Sequence, residues 1–138
     1  MIKVVKRKNK QDFEILLKNL WDSATLKDCK KDAKITNQFM YYENDKAVGF
    51  LTCSIKREYV AGCETNKVAY LEGLYVLPEY RNKKIATKLF NYFNNWAKKK
   101  GCKEMASDIK LENQISLQFH KKLGFEVAET TIHFKKDI

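Results

Sequence analysis

The segment from Val68 to Ala97 constrains the fold more than any other part of the sequence. Val68–Leu77, with the sequence VAYLEGLYVL, predicts a long strand, which ends at Pro78 because proline cannot donate to a strand ladder. Beyond the turn, apolar side chains recur at the spacing of one helical face, at Ile85, Leu89, Phe93, Trp96 and Ala97. A strand that leads into an amphipathic helix predicts a mixed α/β sheet with helices on its faces.

Shorter patterns predict the remaining elements. Ile2–Val5 predicts a strand, and the helix that follows from Asn9 or Lys10 carries Phe13, Leu16, Leu17 and Leu20 on one face. Ser23–Gln38 is polar and leaves open an exposed helix or a mobile loop. The later elements are hairpin strands at Phe39–Glu43 and Ala47–Ile55 around Asn44-Asp45, a loop at Tyr59–Lys67, a strand at Cys102–Ser107, a helix at Glu112–Leu123 and a final strand at Phe125–Phe134.

Length and composition predict one globular domain. The chain has 138 residues, and domains commonly contain about 100–150, so we expect a single domain over residues 1–138. No apolar run approaches a membrane span, and Met1–Lys10 is basic and polar, so we expect a cytoplasmic protein without a membrane partner. The four cysteines lie far apart without a CxxC pair, which predicts reduced thiols and no metal; they are Cys29, Cys53, Cys63 and Cys102.

The net charge of +10 favours an anionic partner. Charge alone does not distinguish nucleic acid, a phosphate-bearing cofactor and an acidic surface. Because the lysines are scattered along the whole chain, we favour a lysine-rich soluble surface and expect no nucleic-acid partner.

The start of the helix after Pro78 is a candidate anion site. A helix start presents unpaired backbone N–H groups and the positive end of the helix dipole. Arg81, Lys83 and Lys84 add positive charge at the same place, which suits a pyrophosphate. Basic residues at a helix start are also common on solvated surfaces, so this feature alone leaves both interpretations open.

The hexapeptide Arg81–Ala86 resembles motif A of the GNAT acetyltransferase superfamily, a strand followed by Arg/Gln-x-x-Gly-x-Gly/Ala at the start of a long helix. Lys84 stands at the position of the first Gly of that motif. The resemblance implies the GNAT fold, with a central mixed, largely antiparallel twisted sheet and helices on both faces. It also implies that acetyl-CoA is the co-substrate, bound by Leu74, Tyr75, Val76, Arg81, Asn82, Lys83, Lys84, Ile85, Ala86 and Thr87.

The block from Asn113 to Phe125 resembles motif B of the same superfamily, Asn-x-x-Ala-x-x-(Phe/Leu)-Tyr-x-x-x-Gly-Phe. This resemblance implies that Asn113 and Ser116 bind the coenzyme, Asn113 at its pantetheine arm. His120 stands at the position of the Tyr that protonates the departing thiolate, and an imidazolium can supply the same proton. A half-buried helix residue that faces the sheet is the alternative for His120.

The chain is also similar to the aminoglycoside 6′-N-acetyltransferases, over roughly residues 47–135. The similarity rests on Leu20-Trp21, Glu58-Tyr59-Val60, Leu71–Pro78, Trp96-Ala97, Ala106-Ser107-Asp108, Asn113 and His120. It implies acetyl transfer to the 6′-amine of an aminoglycoside by direct transfer within a ternary complex. The residues that would bind this cationic substrate are Trp21, Tyr59, Glu72 and Asp108, with core packing as the alternative for Trp21 and helix capping for Asp108.

Glu72 is the candidate general base. An amine attacks a thioester only when neutral, so the site needs a carboxylate or a water chain to take its proton, and Glu72 can act through one water. The backbone N–H of Leu74 or Tyr75 is the candidate donor to the developing oxyanion, and Gly73 is a plausible site for a bulge.

Two other functions remain open at this stage. The first keeps the fold and acetyl-CoA but acetylates a polyamine, another small amine or a protein amine. The second is a non-catalytic module that binds acyl-CoA or nucleic acid. We also expect a homodimer, because family members pair through C-terminal strands and the tail Ile132-His133-Phe134 is apolar.

Overall fold

One sheet of five strands forms the centre of the structure, a computed structural model that describes residues 1–20 and 37–138. The strands lie side by side in chain order, antiparallel from first to fourth, and the fifth runs parallel to the fourth. They are β1 (Ile2–Val4), β2 (Asn37–Glu43), β3 (Lys46–Lys56), β4 (Val68–Val76) and β5 (Glu104–Ser107). Asn44 and Asp45, both at positive φ, form the predicted hairpin turn between β2 and β3.

Residues 1–20 and 37–138 also form three helices and two short 3-10 turns. The helices are α1 (Lys10–Leu20), α2 (Ile85–Lys99) and α3 (Gln114–Lys122), and the turns are Arg7–Asn9 and Pro78–Tyr80. No helix of the described ranges is long and apolar enough to cross a membrane. The predicted exposed helix or loop at Ser23–Gln38 lies outside the described residues, apart from Asn37 and Gln38, which belong to β2.

The two faces of the sheet carry separate apolar cores. Leu89 and Phe93 of α2 pack with Phe39 on one face, and α1 packs with Met40 on the other. Phe39 and Met40 are neighbours in β2, and successive side chains of a strand point to opposite faces. Each buried Leu or Phe contributes about 1.5–3 kcal/mol relative to an exposed one. The predicted mixed, largely antiparallel sheet with helices on both faces is therefore confirmed.

The predicted strand at Phe125–Phe134 is wrong. Residues 125–138 form neither helix nor strand, and Ile132 and Phe134 are exposed, the latter at 93%. The alternation of apolar and polar residues in this segment fits a strand, but a strand forms only where a neighbour accepts its backbone hydrogen bonds. Within the described parts of the chain, these residues pair with no strand.

The helix predicted at Glu112–Leu123 is shorter than expected and its buried face is narrower. α3 begins at Gln114, and Ile115 is 87% exposed although its spacing matches that of the half-buried Phe119 and Leu123.

Replacing Leu89 with alanine tests the core beneath α2. Leu89 is 0% exposed, so we expect Leu89→Ala to lower the free energy of unfolding by about 2–5 kcal/mol through lost burial and a residual cavity. Ile115→Ala, a change at a mostly exposed residue, is the control. Urea unfolding followed by circular dichroism measures both, and equal effects would contradict the assignment of the core.

Candidate active site

A notch opens where β4 and β5 part. The last pair between these parallel strands joins Leu71 to Ser107, and β5 ends there while β4 continues to Val76. The register of β4 against β3 shifts at the same point: Thr52 lies opposite Gly73 and Cys53 opposite Leu71. Glu72 is therefore the extra residue of a bulge, next to the Gly73 that the sequence suggested. A bulge bends its strand and ends regular pairing, which explains the notch.

The backbone of β4 presents hydrogen-bonding groups to this notch. Leu77 N–H donates to the carbonyl oxygen of Val48 in β3 (2.9 Å). Because backbone groups alternate sides along a strand, Tyr75 N–H also points to β3, whereas the N–H groups of Leu74 and Val76 point to the open side. Arg81 Nε donates to the Val76 carbonyl oxygen (2.9 Å) on that open side. Leu74, rather than Tyr75, thus has the direction that an oxyanion donor requires.

The loop between Val76 and α2 has the backbone of an anion site. Lys84 precedes α2 with φ 62°, its side chain makes no capping hydrogen bond, and the first helical bond runs from Lys88 N–H to Lys84 O (3.0 Å). In the first turn, the N–H groups of Ile85, Ala86 and Thr87 have no partner within the helix. Their alignment with the dipole favours a negatively charged group at this position.

Lys84 adopts the backbone that glycine adopts in the motif. Its φ of 62° lies in the left-handed region, as does that of Asn82, and this conformation costs an L-residue about 1–2 kcal/mol. The departure from the motif therefore preserves the loop geometry at the cost of strain. Arg81, Asn82, Lys83 and Lys84 are all exposed, so three cationic side chains surround the helix start.

Two carboxylates lie at the bulge end of the notch. Glu72 is exposed, and its Oε1 accepts a hydrogen bond from Ser54 Oγ (2.7 Å). Asp108, also exposed, directly follows β5 and lies near the Tyr70 hydroxyl. Burial, the interaction with Asp108 and the charge of Glu72 raise the pKa of Tyr70. The structure thus places both carboxylates near the same phenol.

Of the two aromatic residues predicted to contact the substrate, the structure describes one. Tyr59 lies in the loop between β3 and β4 and is 83% exposed, so its ring is open to solvent. Trp21 lies outside the described residues.

The second sequence motif, Asn113 to Phe125, contains α3 and the residue that caps it. Asn113 caps α3, since its Oδ1 accepts from Ser116 N–H (3.2 Å). His120 is half-buried, one turn further along, and its Nδ1 lies 2.7 Å from the Ser116 carbonyl oxygen. Its Nε2 lies 2.9 Å from Ser107 Oγ. The structure therefore connects His120 to Ser107, the last residue of β5.

Ser107 is the residue that the sequence reasoning missed. It appears in the run Ala106-Ser107-Asp108, where Asp108 alone was taken as a candidate. The signal that could have found it is its place at the end of a strand, where the side chain lies beside the point at which β4 and β5 part.

The chain belongs to the GNAT acetyltransferase family. The model of that family, described as Acetyltransferase (GNAT) family, matches residues 6–125. The fold, the notch and the glycine-like loop are in keeping with this assignment.

Several relatives are aminoglycoside enzymes. An aminoglycoside N(6′)-acetyltransferase type 1 of Acinetobacter genomosp. 13 is 43% identical over 92% of this chain and 91% of its own length. The enzyme of that name from Salmonella typhimurium is 37% identical over 98% and 97%. Among solved structures, an aminoglycoside 6′-N-acetyltransferase of Acinetobacter haemolyticus has a TM-score of 0.89 at 36% identity, covering 100% of this chain and 99% of its own.

A further solved relative contains a coenzyme-based ligand. AAC(6′)-Iy, in complex with the bisubstrate analogue CoA-S-monomethyl-acetylneamine, has a TM-score of 0.88 at 35% identity, covering 100% of this chain and 98% of its own.

The loop that carries Tyr59 is fastened to β5 by Glu104. The Glu104 carboxylate accepts hydrogen bonds from the Thr65 hydroxyl (2.6 Å), Thr65 N–H (2.7 Å) and Glu64 N–H (3.0 Å). These bonds, the Thr65 hydroxyl first, lower the pKa of Glu104 from its usual 4.5. A carboxyl group with a lowered pKa stabilises the folded state above its unfolded pKa, and this contribution is lost as the pH falls through the folded value.

We expect Glu104→Gln to lower the melting temperature at pH 7, and this difference should shrink as the pH falls below 4.5 and vanish below the lowered pKa of the folded state, where the native carboxylate is also protonated. Melting curves of both proteins between pH 7 and pH 3 measure it. Glu126→Gln, at an exposed residue of the tail, is the control. A difference independent of pH would show that the charge of Glu104 does not hold the loop.

Proposed function

We propose that this acetyltransferase transfers the acetyl group of acetyl-CoA to the 6′-amine of an aminoglycoside. The observation that carries the proposal is one notch with an anion-binding loop at one end and two carboxylates at the other. Glu72 and Val76 are four residues apart on β4, about 13 Å at the rise of a strand. The names of the relatives support the same acceptor. Acetyl transfer is direct within a ternary complex and forms no covalent acyl-enzyme.

The coenzyme end of the notch fits a pyrophosphate. Backbone N–H groups of Ile85, Ala86 and Thr87 would bind its oxygens, and Arg81, Lys83 and Lys84 would supply positive charge. Bound acetyl-CoA supplies the activated acetyl group as a thioester. The outward N–H groups of Leu74 and Val76 would bind along its pantetheine arm. Tyr75 lies between them on β4, and its ring centroid is 5.6 Å from the Arg81 guanidinium carbon.

Residues at the start of α3 border the coenzyme in this proposal. Asn113 Oδ1 is occupied by the helix cap, so Asn113 would contact the pantetheine arm through its amide NH₂ group. Ser116 is half-buried and lies one turn before His120, and its hydroxyl would also contact the coenzyme.

The acceptor end of the notch fits a cationic sugar. Glu72 and Asp108 provide two negative charges, although the whole chain is strongly basic, and Tyr59 offers an exposed ring. Trp21 completes the proposed substrate contacts. Local charge decides binding here because mobile ions screen charges more than about 8–10 Å away.

Glu72 is the general base of the proposed reaction. Ser54 donates to its Oε1, which fixes the carboxylate and leaves Oε2 for a water that takes the proton of the attacking amine. Leu74 N–H would stabilise the oxyanion that develops on the acetyl carbonyl.

We further propose that the protein acts in the cytoplasm as a homodimer. The tail from residue 125 exposes Ile132 and Phe134, and apolar side chains of this size are commonly covered in an interface. Light scattering after gel filtration measures the mass in solution.

An acetylation assay with several acceptors tests the proposed substrate. The purified protein is incubated with acetyl-CoA and kanamycin, tobramycin, spermidine or a lysine peptide, and the products are weighed by mass spectrometry. We expect one acetyl group on kanamycin and tobramycin, at the 6′ position by fragmentation. Acetylation of spermidine or the peptide alone would show that the enzyme acts on another amine. If no acceptor is acetylated, both the aminoglycoside and the other amines are contradicted as substrates.

Replacing the carboxylate of Glu72 tests its role as base. Glu72→Gln should lower kcat/KM about 10²–10⁴-fold and leave the Kd of acetyl-CoA nearly unchanged, because only proton removal from the amine is lost. Steady-state kinetics and calorimetry measure the two quantities, with Glu126→Gln as the matched control. A loss of less than about tenfold would assign proton removal to another group.

Two changes at Lys84 separate backbone from side-chain binding of the coenzyme. Lys84→Gly should preserve or tighten acetyl-CoA binding, because glycine adopts the left-handed backbone without strain. Lys84→Glu should weaken it by about tenfold or more, about 1.4 kcal/mol, through repulsion of the phosphates. Calorimetric Kd values compare the two. If Lys84→Gly also loses tenfold or more, the lysine charge is the principal contact.

A further inference from the structure

Both ring nitrogens of His120 are already in hydrogen-bonding contact with the protein. Nδ1 lies 2.7 Å from the Ser116 carbonyl oxygen and 3.3 Å from Ser116 Oγ, and Nε2 lies 2.9 Å from Ser107 Oγ. A carbonyl oxygen can only accept, so Nδ1 carries a hydrogen. The proton that His120 can release is therefore the one on Nε2, and Nε2 faces Ser107.

The hydroxyl of Ser107 has a partner for each protonation state of His120. When the imidazole is neutral, Ser107 Oγ–H donates to Nε2. When the imidazole is cationic, Nε2–H donates to Ser107 Oγ, whose hydrogen then donates to the Leu71 carbonyl oxygen, 3.2 Å away. A hydroxyl that both accepts and donates can pass a proton without moving its oxygen.

Ser107 also lies at the inner end of the notch. It pairs with Leu71 in the last rung between β4 and β5, beside the bulge at Glu72. The imidazole is flanked by two aromatic rings, with centroids 5.3 Å away for Phe125 and 6.4 Å away for Phe119. Among the described residues, Ser107 is the polar side chain in contact with Nε2, and it lies between the imidazole and the last rung of β4 and β5.

We propose that Ser107 delivers the proton of His120 to the departing thiolate of coenzyme A. This inference rests on the proposed acetyl transfer. As the bond between the acetyl carbon and sulfur breaks, its electron pair remains on sulfur, and Ser107 Oγ–H protonates that sulfur. Ser107 Oγ takes the Nε2 proton of the imidazolium in the same step. The products are the amide, a neutral thiol, an intact Ser107 hydroxyl and a neutral His120, which a solvent proton restores.

Kinetics of Ser107 variants test the delivery. Ser107→Ala should lower kcat about 10²-fold, the lower end of the range for general acids, and leave the KM for acetyl-CoA within about twofold. Ser107→Thr keeps the hydroxyl and should recover most of kcat. Thr131→Val, which deletes a hydrogen-bonded hydroxyl in the exposed tail, is the control and should change kcat less than about twofold. Melting curves verify that each variant is folded.

A double variant distinguishes one proton path from two independent effects. If Ser107 and His120 act in sequence, Ser107→Ala combined with His120→Ala should lose no more than the larger single loss. Multiplied losses would overturn the shared path, as would a kcat for Ser107→Ala within about threefold of wild type.

Nitrogen-15 NMR of the free protein tests the contact without turnover. The chain contains two histidines, and His133 in the exposed tail serves as internal reference. In wild-type protein with a neutral His120 imidazole, the spectrum should show a hydrogen on Nδ1 and a hydrogen bond to Nε2. In Ser107→Ala, the Nε2 resonance should move toward that of a nitrogen without a donor while His133 stays unchanged. An unchanged Nε2 resonance would overturn the proposal.

The choice of acceptor separates this inference from the proposed function. Every amine acceptor releases the same thiol, so the Ser107 series is run with whichever acceptor the wild type acetylates. Turnover of spermidine but not of aminoglycosides would overturn the proposed acceptor only. Turnover of kanamycin at equal rates in wild type and Ser107→Ala would overturn the proton path only.

Discussion

The parting of β4 from β5 is the constraint on which the rest of the site depends. Backbone N–H and C=O groups require partners, and past Leu71 the outer side of β4 has no strand to supply them within the described residues. Apart from the Val76 carbonyl, which accepts from Arg81 Nε, these groups are available to water or a ligand. The bulge at Glu72 lies at the same point, so one irregular residue places both the end of regular pairing and the carboxylate that we propose as the base.

The charge distribution explains how a chain with a net positive charge can bind the proposed cationic substrate. Arg81, Lys83 and Lys84 gather at the helix start, where the proposed coenzyme has its phosphates, while Glu72 and Asp108 lie at the far end of the notch. The net charge therefore describes the surface as a whole and not the acceptor end. Tyr70 shows this locally, because burial, with the nearby carboxylates Asp108 and Glu72, raises the pKa of its phenol.

The sequence predicted those parts of the fold that depend on local periodicity. The strand before Pro78 and the helix with Leu89 and Phe93 were correct because their apolar spacing is long and regular. The strand at Phe125–Phe134 was wrong because pairing depends on a neighbour that no local pattern reveals.

The residues of the candidate site likewise divide into those that the local sequence predicts and those that it does not. The glycine-like backbone of Lys84 follows from a motif position, and the convergence of Glu72 and Asp108 follows from strand order. Ser107 could not be found in this way, because its contact with His120 joins a strand end to a helix 13 residues later. Residue types alone do not specify such a contact.

Cys53 has a consequence for an enzyme whose product is itself a thiol. It lies opposite Leu71 in β3, fully buried, and burial together with the charge of Glu72 raises the pKa of its thiol to about 12. Only a thiolate exchanges readily with disulfides. This cysteine is therefore protonated and inaccessible to disulfides. In the proposed reaction, the carboxylate that prepares the amine for attack thus also helps burial to keep a neighbouring thiol unreactive toward disulfides of the product.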